Sequence, residues 1–452
     1  MTTVENVNWF KKAQSRVARL GSQTVRVGVT GLSGAGKTTF ITSVINQLEN
    51  HHRDLLARRI PFDRLISVRW QRVSVAQPFP YLEALDALSA VPAQWPSSTT
   101  DLARVVIDLQ FRPEGLLRKI QGVREVRIEL LDYPGEWLLD LPLLGLDYGQ
   151  WCAQMAALVD SEPRRSIAAD LRLRLAAIDP AAPCDPAELR QLTAEWTAFI
   201  LRCRTDAELS RNQPGRFMLP GSGIAADMLL FVPLLSANQH SGGPAGSWWS
   251  QCEQRFNYYR DFVVKGFYDE HFSQLDRQIL LVDMLAPMQA GQAALKDLKQ
   301  ALEDVMGSFR YGRNSLLQRL FSPRISRMAI CATKVDQVAP GEQRSLQQCL
   351  EDLVTDSLSE VRHGGVQVQG FPVSAVRAAD QQGETMVGGL VGQTAFVRYQ
   401  PVSVPRHLPL DLKLVGPKLL HLRPPANLHR NEPFPHFRMD DLVGWILEGK
   451  LL

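Results

Sequence analysis

The chain has 452 residues, 45% of them hydrophobic and 21% charged, a composition that suits a globular protein of two or three domains. Its formal net charge of only +3 gives no electrostatic footprint for displacing counterions from a phosphate backbone, so no nucleic-acid partner is expected. Six cysteines, at 152, 184, 203, 252, 331 and 349, form no C-x-x-C pair and lie near no histidine cluster, which argues against a zinc site or disulfide framework and for a reducing cytoplasm.

The N-terminus lacks an apolar signal core, and the later apolar runs Met228–Leu235 and Ile279–Met284 are too short to span a bilayer. Any membrane contact is therefore expected to be peripheral. Within residues 1–20, Val7–Leu20 puts Phe10, Ala13, Val17 and Leu20 on one helical face, with Lys11, Lys12, Arg16 and Arg19 elsewhere. Packing against its own domain is the expectation, and contact with anionic lipid the alternative.

Thr24 to Thr30 alternates like a strand, and Gly31 to Thr38 then matches G-x-x-x-x-G-K-[ST] directly before a helical run from Thr39 to about Leu48. Glycines in such a loop let successive backbone N–H groups curl round a phosphate, and the helix N-terminus adds its partial positive charge. The candidate nucleotide contacts are Ser33, Gly34, Ala35, Gly36, Lys37, Thr38 and Thr39. Lys37 is expected to reach the β- and γ-phosphates as a catalytic cation, and Thr38 to bind Mg²⁺. The arginines at 53, 58, 59, 64, 69 and 72 read as a solvated basic face, with an arginine finger in cis as the alternative.

Leu102–Phe111 has the apolar character of a strand, and the run 97–100 precedes it. Thr99 or Thr100 is the candidate second Mg²⁺ ligand. Glu125 to Asp132 reads as the next strand, leading into a D-x-x-G turn that ends at Gly135. Asp132 is placed to hold Mg²⁺ through a water, and the Gly135 N–H to approach the γ-phosphate. Glu136 stands where a water-orienting glutamine is usual, so it is either a general base, a slow substitute, or a loop charge pointing to water.

After Asp132 the next convincing strand is Gln278–Asp283, which makes 138–275 a large insertion. Leucines and alanines at helical spacing in Asp160–Ala177 and Ala187–Cys203 mark it as mainly helical. The aromatic stretch Trp248–Phe272 reads as a core helix returning to the sheet, or alternatively as a partner- or membrane-binding face. Arg327 to Ala332 is a further strand, ending in T-K-x-D at Thr333, Lys334 and Asp336. This resembles the N-K-x-D element of Ras-like GTPases. Asp336 would accept guanine N1–H and the N2 amino group, donors that adenine lacks, while Lys334 would lie along the base and brace the phosphate loop. Thr333 replaces the usual asparagine with a shorter hydroxyl. The strand Phe371–Ser374 then leads to Ser374, Ala375 and Val376, whose backbone would meet guanine O6. Four such motifs, each at a strand end, suit an open α/β sheet that binds its ligand beyond the carboxyl ends of its strands.

The division expected from these elements is 1–20, an amphipathic helix; 21–137 and 276–380, the two parts of a GTPase domain; 138–275, the insertion; and 381–452, a small C-terminal extension. In that extension Asp380–Gly392 reads as a linker, Ala395–Val415 as a hairpin and Met439–Leu447 as a closing helix with acidic residues in its first turn. The fold class is therefore α/β, a P-loop NTPase sheet of the Ras-like kind flanked by helices.

Residues 31–38, Trp95-Pro96, Leu131 to Trp137 (Leu-Asp-Tyr-Pro-Gly-Glu-Trp), 332–336 and 401–409 together are similar to the bacterial YcjX family, over essentially the whole chain. The resemblance implies a stress-associated P-loop NTPase, often labelled an ATPase and linked to the phage-shock response. Asp336 argues for guanine instead, so GTP/GDP and Mg²⁺ are the expected ligands of a switch that signals to an unknown protein partner. The alternatives are an ATPase using Asp283 as its Mg²⁺ acid, and a scaffold that barely hydrolyses.

Overall fold

The computed structural model describes residues 23–32, 34–51, 64–72, 77–112, 124–221, 224, 226–236, 242–308, 325–339, 341–408 and 419–449. The expected helix at 7–20, the arginines at 53, 58 and 59, and Ser33 lie outside these residues. Eight strands form the main sheet: β1 Gln23–Gly31, β2 Leu65–Arg72, β3 Gln77–Pro78, β4 Ala103–Phe111, β5 Arg124–Asp132, β6 Arg277–Val282, β7 Arg327–Ala332 and β8 Gln367–Pro372. Their order is β2-β4-β5-β1-β6-β7-β8, with β3 beside β4. The run from β5 to β8 is parallel, and β4 is antiparallel to both β5 and β2. The chain leaves β1 towards one side of the sheet and returns at β6 on the other, which opens a crevice beyond the carboxyl end of β1.

Period-two alternation divides the core. Val25, Val27 and Val29 of β1, Ile279 and Leu281 of β6, and Ala329 and Cys331 of β7 share one cluster with Phe40, Ile41, Val44 and Ile45 of the helix Lys37–Glu49 and with Leu442, Val443 and Ile446 of the helix Met439–Leu447. The neighbouring positions Leu280, Val282, Met328 and Ile330 face the other way, into a larger cluster with Trp151, Trp196 and Phe256. Both faces are thus covered, as a parallel sheet requires. Each fully buried large side chain contributes about 1.5–3 kcal/mol.

Between β5 and β6 the described residues carry helical elements and no strand, including Tyr148–Val159, Ala169–Ala177, Pro186–Ala207 and Trp248–Tyr258. The aromatic stretch is core: Trp248, Trp249, Phe256, Tyr259, Phe267 and Phe272 are buried, though Phe262 is exposed.

The basic stretch after the phosphate-loop helix carries a strand: Leu65–Arg72 pairs with β4 at the edge of the sheet, and exposed Arg69, in keeping with a solvated face, alternates with half-buried Val68 and Trp70. One expectation is corrected. In the C-terminal region, Asp380–Gly392 is no linker. Ala379–Gln382 (β9) and Thr385–Gly389 (β10) form a hairpin, and Phe396–Tyr399 (β11) adds to β10, so among the described residues of the stretch read as a hairpin only these four are strand. The cause is Gly383, whose φ of 65° suits the first position of a two-residue hairpin turn.

Candidate functional site

At the end of β1 the chain turns through Gly34 and Gly36, with φ of 76° and 81°, and enters the helix Lys37–Glu49 with no side-chain cap. A Cβ at either glycine would meet nothing within 4 Å, so the left-handed backbone, and not crowding, is what favours glycine there. Amides of the uncapped first turn are thereby left available to an anion. Lys37 Nζ reaches back to Gly31 O at 3.4 Å.

The three metal-ligand candidates other than Thr100 are joined. Thr99 Oγ1 donates to Asp132 Oδ2 at 2.6 Å and lies 3.0 Å from Thr38 Oγ1. Because the Thr99 proton is committed to Asp132, Thr38 is the donor in the second bond. Asp132 is buried, and its Oδ1 has no hydrogen-bond partner among the described residues. Burial pushes its carboxyl up to about 6, against the opposing pull of the Lys37 charge and the Thr99 bond. A buried carboxylate oxygen without a donor, beside two hydroxyls, fits a hard cation that takes oxygen ligands. Thr100 is exposed, whereas Thr99 is joined to both Asp132 and Thr38. Among the described residues no group of three or more His, Cys, Asp or Glu side chains forms an alternative metal site.

The D-x-x-G loop packs onto the phosphate loop. A Cβ on Gly135 would collide with the Gly31 carbonyl, so this approach requires glycine. Glu136 does not point to water: its side chain is 7% exposed and pairs with Arg204 Nη1 at 3.2 Å. The same loop is fastened further on, where Asp140 accepts from Gly215 N at 2.8 Å and from the Tyr259 hydroxyl.

On the base side, Ser43 Oγ donates to Ala375 O at 2.6 Å, which ties the helix after the phosphate loop to the Ser374–Val376 element. Asp336 is buried; its Oδ1 accepts from Ser374 Oγ at 2.6 Å and its Oδ2 from Ala378 N at 2.8 Å and Ala379 N at 3.3 Å. Two lone pairs per oxygen leave capacity on Oδ1, while Oδ2 is fully used. A two-pronged guanine contact therefore requires the Ala378–Ala379 amides to yield. Thr333 Oγ1 bonds Val282 O at 3.3 Å, on the neighbouring strand and not on the phosphate loop. Lys334, held in the left-handed region at φ 58°, donates to Asp283 Oδ2 at 2.7 Å. Asp283 Oδ1 meanwhile accepts from Leu285 N at 3.0 Å. Asp283 is thus engaged with Lys334 and the following helix, whereas Asp132 is linked to Thr38.

A cavity of about 350 Å³ joins these elements, within the range of small-ligand sites. Gly34 to Thr39 and Thr99 line one part of it, and Thr333, Lys334, Asp336 and Ser374 to Val376 another. Asp132, Gly135 and Glu136 are not among its lining residues. Sequence reasoning saw no chemistry in the C-terminal region, yet Val391 and Leu419–Leu422 line the cavity, as does Trp95. No periodicity or motif marked that stretch.

The sequence matches the YcjX-like family, DUF463, over residues 25–451. It is 34% identical over 454 residues to a protein of Escherichia coli (strain K12) named Ras-like GTPase YcjX, covering 94% of this chain and 96% of that one. A protein of the same name from Shewanella oneidensis is 33% identical over 486 residues, covering 98% and 97%. Both matches span nearly the whole of each chain, and the chain belongs to the YcjX-like family.

Proposed function

We propose that the protein binds GTP and hydrolyses it to GDP with Mg²⁺, and acts as a conformational switch in a bacterial stress response. The observation that carries this reading is the buried Asp336 carboxylate in a cavity lined also by the glycine loop, with Ser374 Oγ on its Oδ1: once the Ala378–Ala379 amides yield Oδ2, it would select a base with ring N–H and amino donors. The relatives' name, Ras-like GTPase, supports it.

In this reading the amides of Gly34 to Thr39 and the Lys37 ammonium would hold the phosphates, and the Thr38 and Thr99 hydroxyls, with Asp132 behind them, would hold the metal. Mg²⁺ would neutralise charge developing on the phosphate oxygens. With a metal bound, Thr99 would give up its bond to Thr38, and the segment that leads into β4 would shift. Gly135, pressed on the phosphate loop, presents its N–H to the γ-phosphate. Glu136 is held by Arg204, and turnover is slow without a partner for that reason. The segment 138–275 carries the signal to a protein partner, and the six unpaired cysteines suit a cytoplasmic setting. Among the described residues no helix is long and apolar enough to cross a membrane.

The test is single-turnover hydrolysis of GTP and of ATP by the purified protein beside Lys37→Ala. The reading expects GTP to be cleaved, ATP to be cleaved far more slowly, and Lys37→Ala to lose at least about a hundredfold in rate. Equal cleavage of ATP, or an unaffected variant, would contradict it.

A further inference from the structure

One stretch of the cavity wall comes from a part of the chain remote from every nucleotide motif. Leu419–Leu422 lines the cavity together with Val391. The stretch is anchored on β10 and the turn after it: His421 O accepts from Val391 N, and Arg423 N donates to Gly389 O, both at 2.8 Å. The Leu422 side chain packs in a small cluster with Ala378, Ala379 and Met386. Ala378 and Ala379 are the residues whose amides occupy Asp336. From the other end of the site, Trp95 Nε1 donates to Leu422 O at 2.6 Å. Trp95 also lines the cavity and precedes Thr99 by four positions.

We propose that Trp95 and the Leu419–Leu422 stretch form a clasp over the nucleotide cavity, and that the Trp95–Leu422 hydrogen bond sets how fast nucleotide enters and leaves. The proposal rests on the nucleotide-binding reading above. The bond bridges the segment that carries Thr99 to the stretch packed on the Asp336 amides, so it joins the metal end of the cavity to the base end. Trp95 is 36% exposed, which puts the bond where water can compete for it, and one such bond is worth about a 3- to 10-fold change in an opening equilibrium. Trp95 is in this sense a positioning residue.

Trp95→Phe keeps an aromatic ring and removes the donor. Association and dissociation of a fluorescent GDP analogue are measured by stopped flow for both proteins, with the thermal midpoint of the nucleotide-free forms alongside. The clasp requires dissociation to speed up about 3- to 10-fold and association to speed up with it, so that Kd moves less than either rate and the midpoint is little changed. An unchanged dissociation rate, or a weaker Kd with association unchanged, overturns the clasp and leaves nucleotide binding intact. If neither the parent nor the variant binds GDP or ADP analogues, the nucleotide reading falls, and the clasp with it. Should Trp95→Phe fail to fold, Leu422→Ala, which keeps the carbonyl but loosens the stretch, must give the same paired acceleration.

Discussion

Arg204 Nη1 lies 3.2 Å from Glu136 Oε1, an ion pair between the helix Pro186–Ala207 and the loop after β5. The carboxylate is almost fully buried and the guanidinium about one-third exposed, so removing the arginine strands a charge inside the protein. Arg204→Ala is expected to destabilise by about 1–3 kcal/mol, read as a lower urea midpoint. Paired with Glu136→Gln in a double-mutant cycle, it should show a coupling of about 0.5–3 kcal/mol. Strict additivity would mean that the pair does not hold the loop.

Thr99 and Thr100 are adjacent in sequence and differ in surroundings: one hydroxyl bonds Asp132 and approaches Thr38, while the other residue is exposed. Thr99→Ala is therefore expected to lower the Mg²⁺ dependence of nucleotide affinity about tenfold or more, and Thr100→Ala to leave it within about twofold. Nucleotide titrations with and without Mg²⁺ separate the two. Equal effects would contradict the assignment.

Asp132 carries the pH dependence of the proposed metal site. Its carboxyl sits at about 6 in the fold because of burial, above the ordinary value of about 4. With the folded pKa raised, the stabilising contribution is fully present below about pH 4 and is lost as pH rises through about 6. Asp132→Asn removes that loss, so at pH 7.5 the nucleotide-free variant should be more stable than the parent by about 1–3 kcal/mol, with little difference at pH 4. Metal binding runs the other way. Mg²⁺ needs the charged carboxylate, so the parent's Mg²⁺-dependent tightening should fade below about pH 6, and the variant should show little of it at any pH. Identical stability–pH slopes for the two proteins would contradict this account.

Gly135 touches the phosphate loop so closely that a Cβ would collide with Gly31 O. Gly135→Ala is expected to push the two loops apart, destabilise by about 1–3 kcal/mol and weaken binding of a GTP analogue more than that of GDP. Calorimetric titration with both ligands checks it; an equal loss for both would show that the loop does not sense the γ-phosphate.

The legible part of this protein is the part in which chemistry dictates residue type over a short stretch. Gly31 to Thr38, Asp132, Asp336 and Ser374 stand at the ends of strands that alternate or run apolar; the sheet brings those ends to one edge, where Gly34 to Thr38, Asp336 and Ser374 line the cavity and Asp132 stands behind Thr99. What escaped reading depends on chain return. Trp95 meets Leu422 across 327 positions, and Glu136 meets Arg204 across 68, contacts that no local period encodes. Edge strand β2 was hidden because its apolar positions do not alternate cleanly: Ile66 is exposed, Val68 and Trp70 are only half-buried, and arginines stand among them. The hairpin around Gly383 was masked by polar strands, of which Gln381 and Gln382 are exposed, so its turn glycine was the only usable signal. The filled hydrogen-bonding capacity of Asp336 Oδ2 was likewise out of reach, since its donors are backbone amides 42 and 43 positions away.

Base choice is the central claim, and Asp336 is where it is decided. Fluorescent GDP and ADP analogues should be titrated into the purified protein in Mg²⁺, beside Asp336→Ala, with urea unfolding of both proteins to register the lost Ser374, Ala378 and Ala379 bonds. The account predicts tight guanine binding, adenine binding weaker by at least about a hundredfold, and loss of that preference in a variant that still folds. Equal or better adenine binding, indifferent to Asp336, would contradict it.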